Sequence, residues 1–194
     1  MKKHLITAFL MTIATTILLG VIYPLLVTAL AQLVFKDKAN GQIRYRNGEA
    51  VGSRIIGQPF VSAKYFHSRP SNAGNGYDAA NSGGTNYAST NQKLIDRVRA
   101  DASSLHQENP GQPIPVDLIT TSASGLDPEI SPAAAEFQIP RIARERAVTE
   151  TTIRDLVQKY TYQRDLGLLG EPRVNVLELN LALDDLAGKH SGSE

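Results

Sequence analysis

The residues able to do chemistry are few and scattered. No HExxH pattern occurs, and His67, His106 and His190 are too dispersed to suggest a metal site. Ser124 has Ser122 two residues before it where a nucleophile elbow needs glycine, so no GxSxG turn surrounds any serine. A GxxxxGK[ST] loop is missing as well, and with it a recognisable nucleotide cradle. The chain has 0 Cys, which excludes disulfides, thiolate zinc sites, iron-sulfur clusters and cysteine lipidation. Asp117, Asp127, Glu129 and Glu136 could supply a carboxylate pair, yet helix capping and solvated surface are the ordinary roles of such residues and are the ones expected here. The run Asn81-Ser82-Gly83-Gly84-Thr85-Asn86 could form an anion-binding nest of backbone N–H groups, or a tight turn that needs glycine for its angles. Arg69 follows the aromatic residues Phe60, Tyr65 and Phe66 and precedes Pro70; it could stack on a ring, pair with a partner's carboxylate or lie free on the surface. No catalytic residue and no metal site is expected.

The elements around these residues give an α+β domain. Asn47-Gly48, between Gln42–Arg46 and Glu49–Ile56, predicts a two-residue hairpin in which both turn positions take positive φ. Residues 67–92 hold Gly, Asn and Ser and almost no aliphatic side chains; they form a long loop, ordered by Phe60, Tyr65 and Phe66 before it and by Tyr77 and Tyr87 inside. Thr90 is a candidate cap for a helix with Leu94, Ile95, Val98, Ala102 and Leu105 on one face, ending near Asn109-Pro110. Val116 to Thr120 reads as a short strand. Ser131 followed by Pro132 opens a further helix, which Pro140 is expected to break or kink, leaving Arg141 to Ala147 as a separate turn or helix. Thr149 caps another, with Ile153, Leu156, Val157 and Tyr160 on its face. Arg173 to His190 alternates like a strand at Leu177, Leu179, Leu181 and Leu183, but Asn175 as cap and Gly188 as stop favour a helix over the whole stretch.

The N-terminal segment sets the setting of this domain. Of 194 residues, positions 5–35 hold no charged residue or histidine. As a helix, those 31 residues would extend roughly 46 Å against a hydrocarbon core of about 30 Å. Lys2 and Lys3 precede the segment, so the positive-inside rule places the N-terminus in the cytoplasm and the rest outside. Ala29-Leu30-Ala31 offers a small-x-small cleavage site, but the apolar region before it exceeds the usual length of a signal peptide. The expected organisation is a cytoplasmic N-terminus over 1–4, a transmembrane helix over 5–35, an extracytoplasmic α+β domain over 36–187 and a flexible tail over 188–194. Residues 36–194 carry 18 basic and 19 acidic groups, a balance without the field needed to collect nucleic acid. Within the span Ala8, Thr12, Thr16, Gly20, Pro24, Thr28 and Gln32 recur at every fourth position, and six of the eight residues there outside the hydrophobic set lie on that row. Small and hydroxyl residues let membrane helices approach closely, so the row is the expected packing face toward other transmembrane helices.

Several motifs resemble those of one family. Gly57-Gln58-Pro59-Phe60, Tyr65-Phe66-x-Ser68-Arg69-Pro70-Ser71, Ser82-Gly83-Gly84-Thr85-Asn86, Ser122-Ala123-Ser124-Gly125-Leu126-Asp127-Pro128-x-Ile130-Ser131-Pro132 and Asn175-Val176-Leu177-x-Leu179-Asn180 are similar to the motif series of KdpC, the C subunit of the bacterial potassium-transporting KdpFABC ATPase. Thr85 stands where Ser is more usual in that series and keeps the hydroxyl. The resemblance implies a single-span accessory subunit of an inner-membrane potassium importer, with a channel-like KdpA subunit, a P-type KdpB subunit and a small KdpF subunit as partners. It implies that ATP and potassium are handled by the complex, with no cofactor bound by this chain alone. The family role is assembly, and a catalytic chaperone function that raises the ATP affinity of the KdpB subunit. The charge rule puts residues 36–194 on the side without ATP, so that influence is expected to be indirect. Phe60, Tyr65, Phe66, Arg69, Pro70, Ser82, Gly83, Gly84 and Asn86 are the expected partner-interface or loop-ordering residues. Two alternatives from other classes are a membrane-anchored small-ligand receptor and a secreted hydrolase released by cleavage near Ala31.

Overall fold

A computed structural model describes the backbone of residues 1–190 and the side chains of residues 1–186. The apolar segment forms one long helix, Lys2–Val34, long and apolar enough to cross a membrane. It comprises α1 (Lys2–Ile17), a π-helical turn (Leu18–Ile22) and α2 (Tyr23–Val34). Pro24 explains the π turn: its ring clashes with the carbonyl four residues back and its nitrogen cannot donate, and a wider turn relieves both. A one-turn helix α3 (Lys36–Ala39) follows, and β1 (Ile43–Arg46) and β2 (Glu49–Ser53) pair across Asn47 and Gly48, at φ 52° and 85° as the dipeptide predicts. The chain divides into two compact units, Met1–Arg44 and Tyr45–Glu194. The division falls after α3 and not at residue 36.

In the second unit, residues 54–91 contain no helix or paired strand, as the loop composition requires. Then come α4 (Gln92–Glu108), a 3₁₀ turn (Val116–Leu118), β3 (Glu129–Ile130), α5 (Pro132–Arg146), α6 (Glu150–Lys159), β4 (Thr161–Tyr162), β5 (Arg173–Asn175) and α7 (Val176–His190). β5 lies between β3 and β4, antiparallel to both, with Ile130 opposite Val174 and Val174 opposite Thr161. The core gathers Phe66, Ile130, Ile139, Ile142, Ile153, Val174, Leu179 and Leu183, so α5, α6, α7 and the small sheet share one interior. The mixed helix and strand content makes the fold α+β.

Several boundaries differ from expectation, each for a local reason. Asn91, not Thr90, caps α4, its side chain accepting from Lys93 N at 2.9 Å. Val116–Leu118 is a 3₁₀ turn and not a strand, so only Leu118 of the three is buried. α5 runs unbroken through Pro140, leaving no separate element at Arg141 to Ala147. Gln138, Ile139, Arg141 and Ile142 are all buried around that proline, and this packing outweighs the lost hydrogen bond. Residues 173–175 form a strand and helix begins only at Val176, because this stretch is paired with β3 on one side and β4 on the other before Asn175 caps α7, accepting from Glu178 N at 3.1 Å. α7 continues past Gly188 to His190, so 188 is not the stop and 188–190 are not a tail. Residues 191–194 of the expected tail lie outside the described residues. Ser131 and Thr149 cap α5 and α6 as the sequence predicts, accepting from Ala134 N at 3.0 Å and Thr152 N at 3.2 Å.

Candidate functional site

The family-like motifs, distant in sequence, converge on one loop cluster. Gly57 N donates to Leu126 O at 2.8 Å, and Gly83 N and Ser82 Oγ both donate to Ser124 O, at 2.9 and 3.0 Å. Ser71 Oγ donates to Gly125 O and Tyr77 OH to Arg69 O. Arg69 Nη1 donates to Asp127 Oδ2 at 2.9 Å while Asp127 Oδ1 accepts from Glu129 N at 3.0 Å, so the arginine's carboxylate partner belongs to this chain. The loop 122–128 is therefore the strut against which residues 57, 69–77 and 82–84 are tied.

Glycine is required here by close approach more than by angle. Gly83 and Gly84 do not have positive φ, which removes the tight-turn explanation. A Cβ on Gly84 would lie 3.0 Å from Ala123 O, and one on Gly57 would lie 2.5 Å from Asp127 O. Gly125 is doubly constrained, with φ 67° and a Cβ position 2.7 Å from Ala73 N. The anion-nest reading is weakened too, since the Gly83 N–H already has its acceptor. Asn86 takes φ 52° and is exposed, while Ser82 is exposed at the rim.

A second set of contacts holds the aromatic stretch before the loop. Phe66 is fully buried, and Asn180 clasps its backbone: Phe66 N donates to Asn180 Oδ1 at 2.8 Å and Asn180 Nδ2 donates to Phe66 O at 3.0 Å. Gln138 clasps the next residue in the same way, accepting from His67 N at 2.7 Å and donating to His67 O at 3.2 Å. Arg141 donates to Tyr65 O at 3.0 Å, to Gln138 Oε1 at 2.7 Å and to Glu108 Oε1 at 2.9 Å. Tyr65 packs at 5.8 Å from Phe60, donates to Asp184 at 3.0 Å and lies under Arg146, whose guanidinium carbon is 4.9 Å from the ring centre. The arginine that stacks on the aromatic cluster is thus Arg146 and not Arg69. Pro70 is half-buried behind this segment. Gln138, Arg141, Arg146, Asn180 and Asp184 are not among the expected interface or loop-ordering residues, although Asn180 closes one of the family-like motifs. A signal existed for two of them: Gln138 stands between Phe137 and Ile139, and Asn180 between Leu179 and Leu181.

The carboxylates have structural partners. Asp117 accepts from Ser131 N and Oγ at 2.7 and 3.0 Å, and Glu136 pairs with Arg154 at 2.7 Å. Glu129 pairs with Arg173 at 3.3 Å; burial pushes its carboxyl above the usual range against the pull of that guanidinium. Burial, helped by Arg141, holds the His67 imidazole below its ordinary pKa, with Nε2 3.1 Å from Ser62 O. A groove of about 440 Å³ runs between Arg69, Asp117, Asp127, Glu129 and Arg173, but each of these charges is already paired or hydrogen-bonded within the chain. Among the described residues no group of three His, Asp or Glu side chains could hold a metal ion.

In the first unit the row Ala8, Thr12, Thr16, Gly20, Pro24, Thr28 and Gln32 lies along a helix with no buried residue. Thr12 Oγ1 donates to Ala8 O at 2.9 Å and Gln32 Nε2 to Asn40 Oδ1 at 3.1 Å.

The chain thus joins a helix long and apolar enough to cross a membrane to an α+β domain whose signature loops are bound into one another. Residues 5–185 match the family model KdpC, described as K+-transporting ATPase, c chain. The chain is 68% identical over 184 residues to the potassium-transporting ATPase KdpC subunit of Koribacter versatilis, covering 95% of each chain. It is 53% identical over 184 residues to that of Acidobacterium capsulatum, covering 95% of this chain and 99% of the relative. With that of Methylobacterium nodulans it shares 51% identity over 201 residues, covering 97% of this chain and 100% of the relative. The chain belongs to the KdpC family, subunits of a potassium-transporting ATPase.

Proposed function

We propose that this chain is a single-span accessory subunit that helps assemble and stabilise a potassium-import complex, its N-terminus cytoplasmic and its second unit extracytoplasmic. The observation that carries the proposal is the helix Lys2–Val34: it is long enough to span and buries none of its side chains within the chain. A plain anchor needs no row of small residues, whereas a helix docked on other membrane helices does. In a straight α-helix a four-residue row drifts by about 40° per step. The π turn at Leu18–Ile22 takes more residues per turn and so swings the row back toward one side. Because Thr12 satisfies its hydroxyl on its own helix, close backbone approach at Ala8, Thr16 and Gly20 supplies the contact.

The partners are the channel-like and P-type subunits of the complex, with a small third subunit. The second unit covers the extracytoplasmic mouth of the channel-like subunit, and its rigid loop cluster supplies a fixed surface for that contact. ATP and potassium are handled by the other subunits, and any influence of this chain on ATP affinity passes through the complex.

The test exploits the absence of Cys. A Lys64→Cys chain, at an exposed position, is labelled with a membrane-impermeant maleimide in sealed right-side-out and inverted vesicles. Labelling from the extracytoplasmic side is expected; labelling from the cytoplasmic side overturns the topology. Recovery of the large subunits with and without this chain tests the assembly role.

A further inference from the structure

The chain from β4 to β5 forms a prong whose tip is built of leucine. Leu166, Leu168 and Leu169 are 91%, 82% and 61% exposed. Elsewhere in the second unit, large exposed aliphatics occur singly, as at Val61 and Val116, or as the less exposed pair Ile55 and Ile56 at 51% and 39%, which is ordinary for a protein surface. Three such leucines within four residues are a different matter.

The tip is ordered. Asp165 N donates to Leu169 O at 2.8 Å and Leu169 N to Asp165 O at 2.9 Å, closing a narrow bridge beyond the β4–β5 pair. Gly167 N and Leu168 N return to Arg164 O and Asp165 O at 3.1 and 3.2 Å. Leu166 itself takes φ 53°, a region leucine seldom adopts, and its side chain gains no burial in return. An exposed apolar side chain on a strained, well-bonded turn is shaped for something outside the chain.

The charges around the tip indicate what that is. Arg164 pairs with Glu171 at 2.7 Å, and Arg173 with Asp165 and Glu129, each at 3.3 Å. Both arginines of the collar are neutralised locally, and residues 163–172 contain no lysine and no aromatic residue. A surface that seats on anionic lipid needs spare cations and favours interfacial aromatics. An apolar tip with a closed collar complements an uncharged apolar cleft in a protein, the arrangement in which a few aliphatic anchors fill a desolvated pocket.

We propose that the leucine prong, Leu166 to Leu169, plugs into an uncharged apolar cleft on the extracytoplasmic face of a large subunit of the complex. This rests on the reading of the chain as a subunit of that complex. Because the chain has no native Cys, Leu168→Cys in the otherwise intact complex can be tested with a membrane-impermeant maleimide and with a benzophenone maleimide. Shielding from the first on assembly, and photo-crosslinking by the second to a large subunit, are expected. Undiminished labelling in the assembled complex, or crosslinks to lipid alone, overturns the proposal. In parallel, the Leu166→Glu, Leu168→Glu chain is expected to lose co-purification of the large subunits while its own urea unfolding midpoint is unchanged, since both side chains face solvent. Full co-purification by that variant is equally fatal. If the unaltered chain fails to co-purify, the subunit reading itself fails, a result separate from either prong outcome.

Discussion

Replacing Asn180 by leucine tests the claim that buried amides hold the loop cluster in place. Asn180 is 1% exposed and makes two hydrogen bonds to one peptide residue, accepting from Phe66 N and donating to Phe66 O. Leucine has the same branched outline and number of side-chain heavy atoms, although it is bulkier, so the substitution opens no cavity and chiefly removes the polar contribution. It leaves a donor and an acceptor of a fully buried residue without partners, each worth about 1–3 kcal/mol. The apolar side chain, which no longer carries an amide out of water, returns part of this. A net loss of about 2–4 kcal/mol is expected. Urea unfolding of the detergent-solubilised full chain measures it, followed through the near-ultraviolet signal of its tyrosines, since the protein has 7 Tyr and 0 Trp. Limited proteolysis gives a second readout, because residues 67–91 should become cleavable once the Phe66 anchor slackens. A loss below about 0.5 kcal/mol, within the range of ordinary surface substitutions, would refute the clasp.

Three further expectations use different levers. Gly125→Ala should destabilise by about 2 kcal/mol more than Gly111→Ala, because both glycines have a similar positive φ but only Gly125 drives a Cβ into backbone atoms, and Gly57→Ala should destabilise through close approach alone, its φ not being positive; equal losses at Gly125 and Gly111 would show that close approach does not matter. His67 has its folded-state pKa depressed below 6.5, so the unfolded chain binds the extra proton and stability should fall as pH drops through and below that value. His67→Gln should flatten that part of the stability-versus-pH curve, and an unchanged slope would assign it elsewhere. Substituting Thr12, Thr16 and Gly20 together by Leu should detach the chain from the large subunits in detergent extracts while leaving it membrane-bound; unaltered co-purification would dismiss the row as a packing face.

Features governed by neighbours along the chain were legible in the sequence. The uncharged stretch 5–35 became a single long helix, Asn47-Gly48 became a hairpin turn, and Ser131 and Thr149 became caps, each depending on contacts only a few residues apart. The motif series also located the loop cluster, though not what its residues do. Tertiary structure alone decided the rest. Pro140 stays inside α5 because the flanking side chains are buried, and residues 173–175 become a strand because two partners flank them from 129–130 and 161–162. Gly57, Gly84 and Gly125 are required by backbone from segments 39 to 70 residues away in sequence, and no local pattern records that distance. Gln138 stands between apolar neighbours and Asn180 closes a family-like motif, but neither shows its partner until the fold brings the 66–67 backbone against them. Local hydrogen bonds and solvation set propensities within one turn or hairpin, but a buried polar group acquires its partner only when the chain has closed around it.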